Sequence, residues 1–128
     1  MAEIEKKLFS EKEMTVLSVT GDIDVEQICD ELTGFYQGKF TRNVIWDFSN
    51  ARGKNLSGND LQMIVSHSKE LSHVRKDGKT AFVISTSLGY GLGRMYDSLA
   101  QVADHPVKYG VFRNYDEAVD WISSTDTD

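Results

Sequence analysis

The sequence predicts an α/β domain with a mixed, mostly parallel five-stranded sheet and four helices, in the order ββαβαβαβα. Two observations carry this. Short apolar runs of β character alternate with stretches of helical periodicity. Each helical stretch also opens on a helix-start signature directly after such a run: Asp24-Val25-Glu26-Gln27, Ser57-Gly58-Asn59-Asp60, Ser87 ahead of Leu88-Gly89-Tyr90, and Asn114-Tyr115-Asp116-Glu117. A short polar side chain at each start accepts a hydrogen bond from an orphan backbone N–H, and Gln27 and Glu117 are placed to close capping boxes.

Ile4 to Phe9 and Met14 to Thr20 read as strands joined by the turn Ser10-Glu11-Lys12-Glu13, which makes the first strand an antiparallel edge. Gly21-Asp22 is expected to stop the second strand. The helix capped by Asp24 turns Val25, Ile28, Cys29, Leu32, Phe35 and Tyr36 inward and frays at Gly34 and Gly38. Asn43 to Phe48 is a nearly continuous apolar run, the pattern of a strand covered on both faces. A polar loop, Ser49 to Leu56, then leads to the Ser57 cap and a helix with Leu61, Ile64, Val65 and Leu71 inward. Ser68 and Ser72 on that same face make it thin. Thr80 to Ile84 is the fourth strand, followed by a helix carrying Leu88, Leu92, Met95, Leu99 and Val102 on its inner face. Pro106 opens the last strand, Val107 to Phe112, where a missing N–H costs least. Tyr115, Ala118, Val119 and Ile122 face inward from the last helix, and a polar tail, Ser123 to Asp128, frays. The last four strands are expected to be parallel, with right-handed connections.

The 128 residues read as one domain, 1–128. A net charge of −6 argues against nucleic acid or an anionic membrane as an indiscriminate partner. No apolar run is long enough to span a bilayer, and Met-Ala-Glu-Ile-Glu-Lys-Lys lacks a signal peptide's apolar stretch, so a cytoplasmic location is expected. The single cysteine, Cys29, excludes an intrachain disulfide and a Cys-based zinc cage, and burial is its expected role. His67 and His73 diverge on one helix and His105 precedes a proline in a turn, so neither a metal site nor a cofactor is expected.

The glycines of Ser87-Leu88-Gly89-Tyr90-Gly91-Leu92-Gly93-Arg94 invite a phosphate-binding reading, since they stand between a strand and a helix start. The Rossmann pattern, however, needs glycine where Arg94 stands, and the P-loop's Gly-Lys-Ser/Thr is absent. Two further readings remain. Gly89 and Gly93, four apart, form with Ala100 a small-residue stripe for close packing. Alternatively, glycines costing about 1 kcal/mol each in helicity make the helix start a marginally ordered flap over a pocket.

The carboxyl ends of parallel strands are where open α/β folds bind ligands. The loops there supply Asp22, Asp24, Ser49, Asn50, Arg52, Ser85, Thr86, Tyr90 and Arg113, with Asp47 near the end of its strand. Capping and turn formation account for Asp22, Asp24 and Asp47 without any catalytic role, and no Gly-x-Ser-x-Gly elbow is present.

Asn43-Val44-Ile45-Trp46-Asp47-Phe48-Ser49 followed by Leu56-Ser57-Gly58-Asn59-Asp60-Leu61 resembles the central strand and following helix of STAS domains. Gly91-Leu92-Gly93-Arg94-Met95-Tyr96 and the ending Val111-Phe112-Arg113-Asn114-Tyr115-Asp116-Glu117-Ala118-Val119-Asp120-Trp121 resemble the bacterial SpoIIAA-like proteins. The likeness runs from about Leu8 to Ile122 and rests on order and spacing more than on any single motif. It implies a STAS-like mixed sheet. It also implies one of two roles: a partner-binding module switched by serine phosphorylation at the start of the second helix, or, through likeness to CRAL-TRIO-type lipid-binding domains, a holder of small apolar ligands or a peripheral membrane contact. The switch pattern ends in Asp-Ser-Ser/Thr-Gly; here Leu56 replaces the first serine, which leaves Ser57 as the candidate phosphoacceptor.

The leading expectation is a non-enzymatic module holding a small apolar or lipid-like ligand under the glycine-rich flap. Its pocket would be lined by Trp46, Phe48, Leu88, Tyr90, Leu92, Met95 and Tyr96, with a polar rim of Asp47, Ser85, Thr86, Ser87 and Arg94. Plain hydrophobic core is the competing role for the same apolar residues. The alternatives are an anti-sigma-factor-antagonist-like protein-interaction module using Ser49 to Gly58, and an enzyme of unknown reaction working through Asp47 or Asp22. A homodimer through the small-residue stripe, the edge strand or Trp121 is a further expectation.

Overall fold

β1 (Glu3–Phe9) and β2 (Met14–Ile23) pair antiparallel across a tight 3-10 turn at Ser10–Lys12, as the hairpin reading requires. In the computed structural model, which describes residues 2–53 and 56–124, the chain continues through α1 (Val25–Gln37), β3 (Asn43–Gly53), α2 (Gly58–Leu71), β4 (Lys79–Val83), α3 (Ser87–Val102), β5 (Lys108–Phe112) and α4 (Tyr115–Ser123). The strands lie in the sheet in chain order, β1-β2-β3-β4-β5, with every pair after the first parallel.

Alternation along the strands splits the core in two. Leu17, Val19, Val44, Trp46 and Phe82 point to one face, where α1, α2 and α3 cover them with Ile28, Leu32, Phe35, Leu61, Ile64, Val65, Tyr96 and Ala100. Val16, Ile45, Ala81 and Val83 point to the other, against Ala118 and Ile122 of α4. The central strands are thus buried on both faces, which is why Asn43 to Phe48 reads as an unbroken apolar run.

Several expectations are corrected. β2 does not stop at Gly21-Asp22, and Ser49 to Gly53 is strand rather than polar loop: after a register shift between Ser18 and Thr20, the two strands stay paired from Thr20↔Asn50 to Ile23↔Gly53. β4 pairs with β3 only as far as Asp47. The extension is therefore a two-stranded arm beyond the sheet, and its polar composition reflects exposure rather than loop structure. The rest of the loop reading, at residues 54–55, lies outside the described residues, as does residues 125–128 of the tail.

The capping box falls on Ser57, whose side chain accepts from Asp60 N–H while the Asp60 carboxylate accepts from Ser57 N–H. Gln27 instead ties down the N-terminal segment, pairing its amide with both Ala2 N–H and Ala2 carbonyl. Glu117 accepts from the Asn114 side chain, not its backbone. Thr86, not Ser87, caps α3.

The inner face of α3 is also corrected. Gly93, Tyr96 and Ala100 are the buried positions, whereas Leu88, Met95 and Val102 are exposed at 79%, 45% and 88%. Glycine decides the rotation. A Cβ at Gly89 would stand 2.6 Å from Ile84, and one at Gly93 2.9 Å from Ile84 and 3.1 Å from Val111. The small-residue stripe is the seat of α3 on β4 and β5, and a stripe so used is not available to a second copy.

Candidate functional site

Between the sheet and α1–α3, running from the carboxyl ends of the parallel strands back to their first residues, lies a cavity of about 710 Å³, within the range of small-molecule sites. Its sheet-side wall is aromatic. Trp46 stacks on Phe48 at 5.5 Å, Phe48 lies 6.1 Å from Phe82, and Phe82 meets Tyr96 at 5.2 Å and Tyr109 at 5.5 Å. Trp46 and Phe48 project to this face because they sit two apart on β3. Phe82 is the register partner of Trp46 on β4, Tyr109 is in phase on β5, and Tyr96 reaches the wall from α3. Opposite them stand Ile28, Leu32 and Phe35 of α1, Leu61 and Ile64 of α2, and Leu92 of α3. The β2–β3 arm closes over the top with Ile23, Ala51 and Gly53. At its edge Arg52 Nε donates to Asp22 Oδ1 at 3.2 Å.

The deep end is polar. Arg75, 5% exposed, donates from Nε to Arg42 carbonyl (3.0 Å), from Nη1 to Tyr36 hydroxyl (2.9 Å), and from Nη2 to Lys79 carbonyl (2.9 Å) and Thr80 Oγ1 (3.0 Å). Tyr36 hydroxyl lies 2.8 Å from Ser72 Oγ, and Ser72 Oγ donates to Ser68 carbonyl. Beside this chain is a second network. Ser68 Oγ lies 2.9 Å from Tyr96 hydroxyl and 2.8 Å from His105 Nε2, and Tyr109 hydroxyl lies 3.1 Å from the same nitrogen. Val107 N–H donates to His105 Nδ1 at 3.1 Å, which puts the proton of the neutral ring on Nε2. The thin face formed by Ser68 and Ser72 is thus two buried hydroxyls spent on tyrosines of α1 and α3.

Burial, reinforced by the positive charges of Arg75, Lys69 and His73, lowers the His105 pKa to about 4. Burial pushes Tyr96 up to about 12 and Tyr109 well above the ordinary tyrosine value. At neutral pH the ring is uncharged and both phenols keep their protons. The lining therefore offers apolar surface and hydrogen-bond donors around one buried cation, Arg75, with the exposed Arg52 at its edge.

The structure brings Trp46, Phe48, Leu88, Leu92, Tyr96 and Thr86 to this cavity, with Asp22 and Arg52 at its edge, and leaves Tyr90, Met95, Asp47, Ser85, Ser87 and Arg94 outside it. Tyr90 turns away under Arg113, whose guanidinium carbon sits 4.3 Å from the ring centre. Met95 faces solvent with the displaced face of α3. Asp47 projects to the α4 side of the sheet and accepts from Ser49 N–H (3.0 Å) and Ser49 Oγ (2.6 Å). Ser85 is exposed and donates to Ser49 carbonyl, while Ser87 and Arg94 are exposed on α3. Asp22 stands at the cavity edge in its ion pair with Arg52, whereas Asp47 is held by Ser49, so the two carboxylates form no shared site. Cys29 is half-buried against the core, and burial, then Asp30, raises its pKa, the opposite of an activated thiol. Among the described residues no group of three metal-ligating side chains is present.

Sequence reasoning missed Arg75, Thr80, Tyr36 and Tyr109 as lining residues. Tyr109 and Thr80 carried a signal, being in phase with Val111 and Phe82 on their strands. Arg75 carried none, because a basic residue after a helix reads as solvent-facing.

No family model matches the chain, and no curated protein matches it. Among solved structures it is similar to the anti-sigma factor antagonist SpoIIAA in its unphosphorylated form, with a TM-score of 0.59 at 15% identity over 96% of this chain and 100% of that one. The fold is SpoIIAA-like. An uncharacterised protein of the DUF3478 family from Shewanella loihica, described as having a SpoIIAA-like fold, aligns with a TM-score of 0.56 at 16% identity over 94% of this chain and 93% of its own. The SpoIIAA-like fold agrees with the resemblance read from motif order and with the mixed sheet observed.

Proposed function

We propose that this chain is a non-enzymatic, STAS-type binding module that holds a small apolar or amphipathic molecule between its sheet and α1–α3. The observation that supports the reading is the cavity of about 710 Å³ walled by aromatic and aliphatic side chains. A plain core fills such space at close-packed density. Native mass spectrometry of gently purified protein, followed by organic extraction, tests it. A retained mass removed by extraction supports the module. Protein that is empty as purified and takes up neither an alkyl alcohol nor an alkyl acid overturns it.

A second reading, a protein-interaction module, is favoured by the structural likeness to an anti-sigma factor antagonist. Ser57 lies at the exposed start of α2, the place where that reading puts a phosphoacceptor. Its hydroxyl is already committed to the capping box, and a phosphate there would face the Asp60 carboxylate across that box. Affinity capture from a native extract tests the interaction. Recovery of a kinase or sensor whose binding changes with Ser57→Ala favours a switch, and unchanged binding removes Ser57 from it.

A further inference from the structure

We infer that the ligand of this cavity is an amphipathic anion, an alkyl chain whose carboxylate sits against Arg75 and Thr80 at the deep end; this rests on the ligand-binding reading above. Arg75 is a permanent charge, 5% exposed, and among the described residues no carboxylate lies within salt-bridge distance of it. Its hydrogen-bond partners are two backbone carbonyls and two hydroxyls, all neutral, and its guanidinium carbon lies 5.8 Å from the centre of the Phe35 ring, which carries no counter-charge either. They hold the guanidinium in place but leave its charge uncompensated, a costly state in a buried site.

Donor arithmetic gives the head group. A guanidinium has five N–H donors, and four are spent, which leaves one on Nη1. Thr80, 3% exposed, accepts from Nη2, and its own hydroxyl proton has no acceptor among the described residues. Both side chains line the cavity. Two unspent donors beside one positive charge match the two oxygens of a carboxylate. Tyr36 is not a third donor toward the ligand, because its proton goes to Ser72, which itself donates to Ser68 carbonyl.

The remaining shape gives the tail. From the level of Thr80 to that of Ile84 the sheet wall runs about 13 Å, past Phe82 and the Trp46–Phe48 stack. It ends near the exposed Leu88 and the Arg52–Asp22 pair. The head lies deep and the tail runs toward the arm.

Isothermal titration of delipidated protein with decanoate and with decan-1-ol tests this without any variant. Decanoate binding at least tenfold tighter than the alcohol is expected. In Arg75→Met the preference for decanoate over the alcohol should vanish. In Thr80→Val, which keeps shape and removes the hydroxyl, decanoate alone should weaken about three- to tenfold. Equal affinities in the unaltered protein, or a preference that survives Arg75→Met and Thr80→Val, overturn the carboxylate assignment while leaving the ligand-binding module standing. Absence of binding by both probes, with nothing retained on purification, overturns both.

Discussion

His105 shows how a residue set aside in the sequence becomes consequential once buried. Its folded pKa of about 4 lies below the ordinary value of 6.5. Below about pH 6.5 the unfolded chain therefore binds a proton that the folded chain refuses, and stability falls as pH drops toward about 4. The ring is partly exposed, so screening reduces the effect to about 1–2 kcal/mol. Urea midpoints of the unaltered protein and His105→Gln, compared near neutral pH and near pH 4.5, should show the variant losing less. Gly78 is a second residue-scale case. A Cβ there would lie 2.3 Å from Arg42 carbonyl and 2.9 Å from Arg75 carbonyl, two backbone groups that cannot rotate aside. Gly78→Ala should cost at least 1–3 kcal/mol, as overpacking does, read from the same denaturation curves. Because Arg75 Nε also holds Arg42 carbonyl, that variant should weaken ligand uptake as well.

At the scale of elements, the capping signals placed every helix start within a residue, yet the capping box formed where Asp60, rather than a Glu or Gln, stands third in the helix. Ser57→Ala removes the side-chain acceptor and should destabilise the protein by about 1 kcal/mol. Far-ultraviolet circular dichroism during thermal melting checks it. The α3 reading failed for a different reason, and only in part, since Leu92 and Leu99 do pack against the core. A stripe of Leu88, Leu92, Met95, Leu99 and Val102 is the larger apolar face, but Gly89, Gly93 and Ala100 let the backbone approach β4 and β5 more closely, and Tyr96 fills the seat. Met95→Gln should leave stability within about 0.5 kcal/mol. Ala100→Leu, at a position 2% exposed, should cost about 1–3 kcal/mol. Equal effects of the two substitutions would contradict the observed face.

Across the whole molecule, chain-order strands place three crossover helices on one face of the sheet and leave α4 alone on the other. Three helices over an aromatic sheet face enclose a cavity; the α4 face packs Met14, Val16, Ile45, Ala81 and Val83 against Ala118 and Ile122. Leu92→Trp should fill part of the cavity, reducing uptake of alkyl ligands at least tenfold while the folded signature persists. Titration calorimetry paired with circular dichroism separates that from unfolding. The outer edge of β1 carries Glu3, Glu5, Lys6 and Lys7, charges that discourage strand addition.

Periodicity and caps were enough to specify the class, the element order and the antiparallel first strand, because alternation and helix-start chemistry are local. They also gave Trp46, Phe48 and Leu92 as inward residues, since strand and helix phase dictates that much. What stayed illegible depended on contacts between distant segments. The β2–β3 arm is strand because its two halves find each other, and α3 turns its glycines inward because β4 and β5 are there to be approached. Arg75 is buried because its guanidinium meets carbonyls from β4 and the segment before β3. The sequence by itself determined that an α/β sheet would form with a crevice at its carboxyl end. Only the tertiary structure decided that the crevice is a cavity with an uncompensated cation at its base, since burial and charge balance belong to the assembled fold and to no local stretch of chain.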